Sequence, residues 1–381
     1  MSDYHFTVSG REYTSGTPLI IAEIGTAHGG SIAKGEELIG AAAESGAGCV
    51  KFQHVYANEI IHPETGFVPL PGGPVALYER FRSLETNPEF LARMQEAARR
   101  HGLLFLCTPF GTRSARELIE LGVEAMKVAS PELNHLPLLR VVASCDLPTI
   151  LSTGVSLLGD IELAVETFRQ TSPDVYGRAA DGRLALLHCV TAYPAPPRDY
   201  NLRILPLLSA LLGIATGISD HSLDPVLIPT LAIATGACIV EKHICLSRDD
   251  DGLDDPIALP PAGFSRMCTA IRAASEAGSA ATIEAITAEY GAETVEAVLG
   301  DGCKRLAPSE AANYMRTNRS LHASRAIREG ETLTEENVAV LRTEKILRPG
   351  LVPALLPVVL GRKAARDISD GQGLEWVDVG G

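Results

Sequence analysis

Five ionisable side chains stand at the ends of short apolar runs, where burial is costly unless the groups are paired or take part in chemistry. They are Glu23, Lys51, Lys127, His221 and His243. Each run has the length and composition of a buried strand in a parallel sheet. In a closed barrel of alternating strands and helices, the C-terminal ends of the strands form the active face. The placement of these five residues therefore predicts that they meet in one catalytic site.

The two imidazoles predict a metal centre. His221 and His243 end the seventh and eighth predicted strands, which are neighbours in a closed barrel. A single histidine near an apolar run is usually structural, but two on adjacent strands can share one divalent cation. Two nitrogen ligands leave positions open for water and substrate, as in a catalytic site. We expect Mn²⁺, Mg²⁺ or Co²⁺.

The two lysines admit two interpretations. Lys51 and Lys127 end the second and fourth predicted strands, and lysine is rarely buried in a core without a role. Lys127 could form a Schiff base with a carbonyl substrate, as in an aldolase. Alternatively, both ammonium groups could hold the phosphate and the carboxylate of one anionic substrate.

Hydroxyl groups at neighbouring strand ends favour a phosphate site. They belong to Thr108, Ser130, Ser152 and Ser219. Hydroxyls and backbone amides that converge beside lysines are typical of sites for phosphate-bearing substrates. Glu23 and Glu132 would then act as acid/base or substrate-orienting groups.

Eight apolar runs alternate with eight amphipathic stretches, which predicts an α/β fold of the (β/α)8 TIM-barrel type. The predicted strands cover 19–25, 49–53, 103–108, 125–130, 148–153, 184–190, 214–219 and 238–244. The predicted helices cover 32–46, 88–101, 112–121, 137–144, 159–170, 201–211, 225–235 and 262–278. No G-x-G-x-x-G follows the first strand, which disfavours a dinucleotide-binding fold.

The remaining segments predict a plug, a lid, a linker and a small second domain. Residues 5–14 read as a hairpin that closes the bottom of the barrel domain, 1–278. The long connection 54–87 is rich in Pro and Gly, so we expect it to cross the active face as a lid. Residues 279–317 are expected to form a helical linker. Residues 318–381 are too few for demanding chemistry alone, but they can contribute a wall or one side chain to another domain's site.

Composition narrows the class of partner. The 381 residues carry a formal net charge of −14, which argues against a nucleic-acid partner. No apolar stretch has the roughly 18 residues of a membrane span, and the first residues lack the basic and apolar pattern of a leader. We therefore expect a cytoplasmic protein. The overall charge does not exclude a small anionic substrate, because a local cluster of cations can bind it.

Short motifs end or follow most of the predicted strands. They are Ala22-Glu23-Ile24-Gly25, Lys51-Phe52-Gln53, Thr108-Pro109-Phe110, Lys127-Val128-Ala129-Ser130, Leu151-Ser152-Thr153-Gly154, Leu187-His188-Cys189, Tyr193-Pro194, Ser219-Asp220-His221 and Glu241-Lys242-His243. In order and spacing this set closely resembles the sialic acid synthase family. The resemblance implies a TIM barrel followed by an antifreeze-like (SAF, β-clip) domain. It also implies condensation of phosphoenolpyruvate with an N-acylated amino-sugar aldehyde, which yields a 2-keto-3-deoxy nonulosonic acid and phosphate.

The resemblance also assigns residues to roles. For phosphoenolpyruvate it implies Lys51, Thr108, Lys127, Ser130, Ser152 and Ser219. For the sugar it implies Gln53, Glu132, Tyr193, Asp254 and Arg319. It implies catalytic roles for Glu23, Lys51, Lys127 and Glu132, and metal binding by His221 and His243. Arg319 matches an arginine that enters the partner subunit's site, which implies a homodimer with exchanged SAF domains.

Four departures from the family pattern lie on the acceptor side. They are Ala27, Thr191, Leu253 and Asp255. The phosphoenolpyruvate side is intact, so the donor is better supported than the acceptor. A Schiff-base aldolase using Lys127, a non-catalytic sugar-phosphate binding protein and a synthase of a shorter keto-deoxy acid are the alternatives. The SAF domain and the Tyr193-Pro194 pair speak against the shorter acid.

Overall fold

The computed structural model of the protein describes residues 4–70, 73–177, 182–250 and 252–380. In chain order the strands are β1 (Phe6–Val8), β2 (Arg11–Tyr13), β3 (Leu19–Gly25), β4 (Cys49–His54), β5 (Phe67–Leu70), β6 (Gly73–Ala76), β7 (Leu104–Pro109), β8 (Ala125–Val128), β9 (Thr149–Ser152), β10 (Leu184–Cys189), β11 (Ala215–Asp220), β12 (Ile239–His243), β13 (Arg319–Ala323) and β14 (Val338–Arg342). The helices are α1 (Ile32–Glu44), α2 (Ala57–Ile60), α3 (Leu77–Arg82), α4 (Pro88–Arg100), α5 (Thr112–Leu121), α6 (Leu136–Ala143), α7 (Leu158–Thr171), α8 (Pro173–Tyr176), α9 (Ile204–Leu212), α10 (Leu227–Ala234), α11 (Pro261–Ala277), α12 (Ser279–Tyr290), α13 (Ala292–Leu299) and α14 (Leu356–Val359).

Eight parallel strands close into the predicted barrel. Their order around it is β3-β4-β7-β8-β9-β10-β11-β12, and β12 pairs with β3 to close the ring. All eight predicted strands and all eight barrel helices are confirmed, with ends that shift by three residues at most. The largest strand difference is at β8, which ends at Val128 because Pro131 starts a 3₁₀ turn over Ser130–Glu132.

The lower half of the barrel interior is filled by apolar side chains and sealed by the N-terminal hairpin. Phe6, Val8 and Tyr13 of β1 and β2 pack onto a ring of inward-facing strand residues that includes Ile21 and Leu187. Burial of each large side chain contributes about 2 kcal/mol. The hairpin plug predicted from the sequence is therefore confirmed, and a packed floor leaves only the C-terminal rim open for chemistry.

The connection 54–87 is folded rather than a wandering lid. It contains α2, the β5–β6 hairpin and α3, and it is fastened to the C-terminal domain. The hydroxyl of Thr65 donates to the carbonyl of Thr343 at 2.8 Å, and Ile61 bridges to Arg342. In α2, the Glu59 carboxylate accepts hydrogen bonds from the backbone amides of Arg113 and Ser114, in the first turn of α5. This segment therefore also caps a barrel helix.

Residues 279–317 form a helical arm that packs on the barrel. The backbone amide of Leu202 donates to the carbonyl of Val298 at 3.0 Å, and Arg203 forms an ion pair with Glu296. Beyond α13 the chain has little regular structure, but Glu310 anchors it to the rim. Its carboxylate accepts from the backbone amides of residues 155, 191 and 307.

The C-terminal domain has its own small core around the β13–β14 pair. Buried Leu321, Leu333, Val338, Val359 and Leu374 form its centre. Within the described residues, no helix has the length and apolarity needed to cross a membrane.

Candidate active site

Because side chains alternate in direction along each strand, the predicted residues of neighbouring strands all point into the barrel near one rim. In β3, β4 and β12, the register aligns His243 with Glu23 and Glu23 with Lys51. Lys127 of β8 and Ser219 of β11 face the same interior. All five side chains are buried or nearly so, with at most 8% of the residue exposed. The five ionisable residues singled out in the sequence therefore share the C-terminal end of the barrel. Four of them lie in strands, and His221 directly follows β11.

A buried carboxylate lies between the two lysines. Lys51 Nζ is 2.7 Å from Glu23 Oε2 and 3.6 Å from Glu241 Oε1, and Lys127 Nζ is 3.9 Å from Glu241 Oε2. Burial alone would lower the pKa of Lys51, but Glu23 and Glu241 outweigh it and raise the pKa. Burial would raise the pKa of Glu241, yet Lys127 and Lys51 lower it to about 2. The charges are thus held ionised by one another.

Lys127 is less fully compensated than Lys51. Its ammonium donates to Ser152 Oγ at 2.7 Å and to the carbonyl of Val128 at 3.2 Å. Burial is the largest influence on it and lowers its pKa, although Glu241 acts in the opposite direction. An anionic ligand beside this nitrogen would supply the missing negative charge.

The predicted hydroxyls surround the two ammonium groups. Thr108 Oγ1 accepts from Lys51 at 3.3 Å, and Ser219 donates to Glu241 Oε1 at 3.0 Å. Ser130 Oγ accepts from the amide of Gly154 at 3.0 Å, and a Cβ at Gly154 would lie only 2.9 Å from that oxygen. Because Gly154 has no side chain, a ligand can approach the backbone at this part of the rim.

The two histidines lie side by side. Their ring centroids are 5.6 Å apart, and the Tyr193 ring stacks on His221 at 4.3 Å. His221 Nδ1 donates to the carbonyl of Val190 at 2.9 Å, which leaves Nε2 as the potential ligand atom. Asp254 Oδ2 is 3.8 Å from His243 Nδ1.

The donor set fits a weakly held, open metal site. Within the described part of the chain, no group of three or more His, Cys, Asp and Glu side chains is arranged to hold a metal ion. His221 and His243 alone would supply the protein ligands, and metal binding by this pair stays a prediction. Burial lowers the pKa of His243, which keeps it neutral. Burial opposes protonation of His221 too, but Cys189 raises its pKa to about 9, so a cation would have to displace a proton.

Behind the two histidines, on the outer side of the strands, lies a buried polar network. Asp220 and Lys242 pair in register across β11 and β12, and their charged atoms are 2.6 Å apart. Tyr200 donates to Asp220 Oδ1 at 2.6 Å and accepts from the backbone amide of His221 at 2.8 Å. Each member of the ion pair directly precedes one of the histidines.

Glu132 is fully enclosed by two arginines of the C-terminal domain. Its Oε1 is 2.9 Å from Arg319 Nη2 and 2.7 Å from Arg342 Nη2. Arg319 also donates to the carbonyl of Phe110 at 2.6 Å. Burial lowers the pKa of Arg319 to about 10 although Glu132 opposes this. The second carboxylate oxygen, Oε2, is buried without a hydrogen-bond partner.

The contact between Arg319 and Glu132 forms within one chain. The family resemblance implied that Arg319 would enter the partner subunit's site. Asn134 adds to the interface by exchanging two hydrogen bonds with the backbone of Arg319. Exchange of SAF domains between two chains is not tested by this contact and stays a prediction.

The other residues predicted on the sugar side are spread along the rim. Gln53 donates to Glu23 Oε1 at 2.8 Å, and the ring of Tyr193 is half exposed above His221. Of the departures from the family pattern, Asp255 is buried and accepts from the amide of Gly252 at 2.8 Å, so it stabilises its own turn. Thr191 is buried, and its hydroxyl has no partner.

Two residues of the site were missed in the sequence prediction. Glu241 lies two positions before His243, and this spacing places both on the inner face of β12. That signal was available and could have identified Glu241. Arg342 lies far from the barrel in sequence, and no local pattern connects it with Glu132.

Comparisons with known proteins agree with this geometry. A model of the NeuB family matches residues 38–282, and a SAF domain model matches residues 318–380. The chain is 31% identical to an N,N'-diacetyllegionaminic acid synthase of Legionella pneumophila over 370 residues, 96% of each chain. It is 31% identical to a pseudaminic acid synthase of Campylobacter jejuni over 366 residues, 94% of this chain and 96% of that one. The crystal structure of the spore coat polysaccharide biosynthesis protein spsE of Bacillus subtilis, 32% identical, superposes with a TM-score of 0.81 over 98% of this chain and 99% of the other. Because the first model spans more than half of the 381 residues and a second domain model accounts for the C-terminal module, the chain belongs to the NeuB family.

Proposed function

We propose that this enzyme condenses phosphoenolpyruvate with an amino-sugar aldehyde to give a sialic-type nonulosonic acid and phosphate. Family membership and the names of the similar synthases support the reaction class. The observation that carries the proposal is the pair of buried lysines, bridged by Glu241 and surrounded by hydroxyls at the strand ends. This arrangement suits a substrate with two anionic groups.

The lysines would bind the two ends of phosphoenolpyruvate. Lys127 can donate one more hydrogen bond beyond those to Ser152 and Val128. Lys51 is held at the rim by its ion pair with Glu23. In a site shielded from water, such charges stabilise the developing transition state more strongly than they would in solvent. Ser130 and Ser219 would add hydrogen bonds to the same ligand.

The reaction requires a new carbon–carbon bond and loss of phosphate. The enol carbon of phosphoenolpyruvate attacks the aldehyde carbon, water adds to the adjacent carbon, and the carbon–oxygen bond to phosphate breaks. Glu23 is within 2.7 Å of Lys51 and accepts from Gln53, so it is oriented to take up or give a proton near the aldehyde or the attacking water. A divalent cation held by His221 and His243 would polarise the aldehyde oxygen as a Lewis acid. Manganese is our first choice, with magnesium or cobalt as alternatives.

The sugar would lie between Glu132 and Asp254. Glu132 Oε2 lacks a hydrogen-bond partner and can accept from a hydroxyl or an amide of the acceptor. Arg319 and Arg342 fix its other oxygen. An N-acetylmannosamine-like sugar is the reference acceptor. A different acylated amino sugar from a specialised pathway is the alternative, because Ala27, Thr191, Leu253 and Asp255 depart from the family pattern on this side.

We further propose that the contact between Arg319 and Glu132 forms between the two chains of a homodimer. The interface joins residues of two modules, and the segment between α13 and β13 contains no regular element beyond a 3₁₀ turn at Ala311–Asn313. Exchange of an element across such a connection forms the same contacts in trans as in cis.

Phosphate release from phosphoenolpyruvate tests the proposal. We expect release to depend on one member of a panel of 2-acetamido and 2,4-diacetamido hexoses. Lys51→Met and Lys127→Met should each lower phosphoenolpyruvate use by at least 100-fold, as expected for loss of an oriented charge. Lys345→Met, which removes a half-exposed lysine of the SAF domain, is the matched control.

A Schiff-base aldolase is the competing function, and the lowered pKa of Lys127 is the observation that favours it. Borohydride added with the substrates would trap such an intermediate. A covalent adduct at Lys127 would replace the condensation proposal, whereas phosphate release without any adduct would support it.

A further inference from the structure

A cavity distinct from the strand-end site lies between the barrel and the chain that follows α13. It has a volume of about 450 Å³ and is enclosed by the loop that follows β10 and by the chain that follows α13. This volume is within the range of pockets that hold small ligands. His188, Arg198, Asp199, Lys304, Arg305 and Glu310 contribute its polar lining.

Lys304 is the uncompensated charge of this cavity. Its ammonium makes one hydrogen bond, to the carbonyl of Thr153 at 3.3 Å, and pairs with no carboxylate of the described residues within 4.0 Å. Burial lowers its pKa, although Glu310 acts in the opposite direction. A lysine nitrogen has three protons to donate, so two remain for an occupant.

The two acids of the lining are already engaged by backbone amides. Asp199 Oδ2 accepts from the amide of Ser309 at 3.1 Å. Glu310 Oε2 accepts from the amides of Val155 and Thr191 at 3.0 and 2.8 Å. These carboxylates hold the walls together, and Asp199 Oδ1 also lies 4.0 Å from Arg198 Nε. Lys304 is the cation left for a ligand.

Two exposed arginines stand at the entrance. The side chain of Arg198 is 81% exposed, and that of Arg305 is 57% exposed and paired with Asp301. A cation inside the cavity and two guanidinium groups at its opening attract anions and suit the oxygens of a phosphate or a carboxylate.

His188 adds no charge to the cavity. It is buried in the wall, and its Nε2 lies 2.5 Å from the carbonyl of Tyr200. Burial lowers the pKa of His188 to about 3, so the ring is neutral and Nε2 carries the proton. The positive charge that faces an occupant therefore comes from Lys304 and the two arginines.

We propose that this cavity binds a small oxyanion, either inorganic phosphate or the carboxylate end of a sugar acid. The binding site does not depend on the function proposed for the barrel rim. Its walls nevertheless support the rim, since the carbonyl of Val190 holds His221 and that of Thr153 holds Lys304. Occupancy would thus tighten the loop that positions His221.

Protection of Lys304 from acylation tests the proposal on the full chain. A lysine with a lowered pKa reacts with acylating reagents near neutral pH, and mass spectrometry reports the reaction at each lysine. We expect inorganic phosphate or N-acetylneuraminic acid to slow acylation of Lys304 at least fivefold. Lys345 serves as the internal control and should be unaffected.

Stoichiometry separates this cavity from the active site. If both sites are correct, calorimetry should find two phosphates per chain, one lost in Lys127→Met and the other in Lys304→Met. Arg198→Gln, at an exposed position that does not threaten folding, should weaken the second site at least threefold. If the parent chain binds only one phosphate, and Lys304→Met abolishes it whereas Lys127→Met does not, the rim assignment is contradicted and the cavity proposal stands. Acylation of Lys304 that neither anion slows, together with unchanged binding in Arg198→Gln, would overturn the cavity proposal.

Discussion

Glu241 acts as an internal counter-charge for two buried lysines. Its carboxylate lies within 4 Å of both Lys51 and Lys127. Such a group partly offsets the charge of the two ammonium ions. It would also compete with an anionic substrate for them, because its own pKa of about 2 keeps it ionised.

The first prediction concerns Glu241→Gln. Removal of this charge leaves Lys127 without its nearest carboxylate, and such a change at a buried pair costs about 3–5 kcal/mol. Unfolding by urea should report that loss, and added phosphate should recover more stability in the variant than in the parent protein. Glu375→Gln, which removes a half-exposed carboxylate of the C-terminal domain, is the control. Equal stabilisation of parent and variant by phosphate would contradict the counter-charge.

A second prediction concerns the metal. Removal of divalent cations with a chelator should abolish phosphate release, and Mn²⁺ or Mg²⁺ should restore it. His221→Ala should lose Mn²⁺ binding, measured by electron paramagnetic resonance, while its melting temperature falls by only a few degrees. An open catalytic ion contributes much less to folding than a closed structural one. Full activity in excess chelator would exclude the metal proposal.

At the scale of elements, β11 and β12 set the distance between the two histidines. The buried Asp220–Lys242 pair joins the strands one residue before each histidine, and Tyr200 binds both Asp220 and the backbone of His221. Burial lowers the pKa of Lys242, although Asp220 acts in the opposite direction. The two strands are thus joined at the residues that directly precede His221 and His243.

A third prediction tests whether the Asp220–Lys242 pair sets the spacing of the two histidines or only stabilises the protein. Asp220→Asn leaves Lys242 buried and unpaired, so we expect a loss of about 3–5 kcal/mol together with weaker Mn²⁺ binding. The double variant Asp220→Leu/Lys242→Met should regain most of the stability, because it leaves no unpaired charge. It should not regain the metal affinity, because the short polar contact that sets the spacing is gone. Recovery of both properties would show that the pair is purely structural.

The elements were predictable because each is determined by local signals. The apolar runs, the Asn87-Pro88 helix start and the alternation in β1 and β2 are all visible within a few residues. The folding of 54–87 was not, because its pairing with Thr343 and Arg342 depends on residues almost 280 positions away. For the same reason the sequence identified Glu132 but not the second arginine beside it.

At the scale of the whole molecule, the SAF domain is stabilised by polar groups that must stay neutral. His322 is fully buried, where its Nδ1 is 2.8 Å from the carbonyl of Gly371 and its Nε2 is 2.9 Å from Ser320 Oγ. Burial lowers the pKa of His322 to about 4 from the ordinary 6.5. The domain that covers the site is therefore sensitive to acid.

The fourth prediction follows from the sign of this shift. Between pH 6.5 and 4 the unfolded chain binds a proton at His322 that the folded chain does not, so stability falls as the pH falls. The loss over that interval is about 3 kcal/mol. Hydrogen exchange of amides in β13 and β14 should quicken accordingly, and His322→Gln should flatten this pH dependence. An unchanged pH profile in His322→Gln would assign the acid sensitivity to other groups.

The last prediction decides whether the SAF domain serves its own barrel or its neighbour's. Arg319→Ala removes the guanidinium that binds Glu132, and Lys127→Met disables the rim of the barrel. Each variant alone should be inactive in condensation. If the domain is exchanged, a heterodimer of the two contains one site with both an intact barrel and an intact SAF domain. Random pairing makes half of the dimers mixed, so the mixture should regain about a quarter of the parent activity.

The opposite arrangement gives a distinct result. If the contact forms only within one chain, as between Arg319 and Glu132 here, every site in the mixture carries one defect and no activity returns. Subunit exchange must be verified with a mass-tagged chain before the rates are compared. Lys345→Met mixed with Lys127→Met is the matched control, because its activity should equal the simple average of the two parents. A mixture of the Arg319 and Lys127 variants that stays inactive after verified exchange would refute the swapped dimer while leaving the reaction itself untouched.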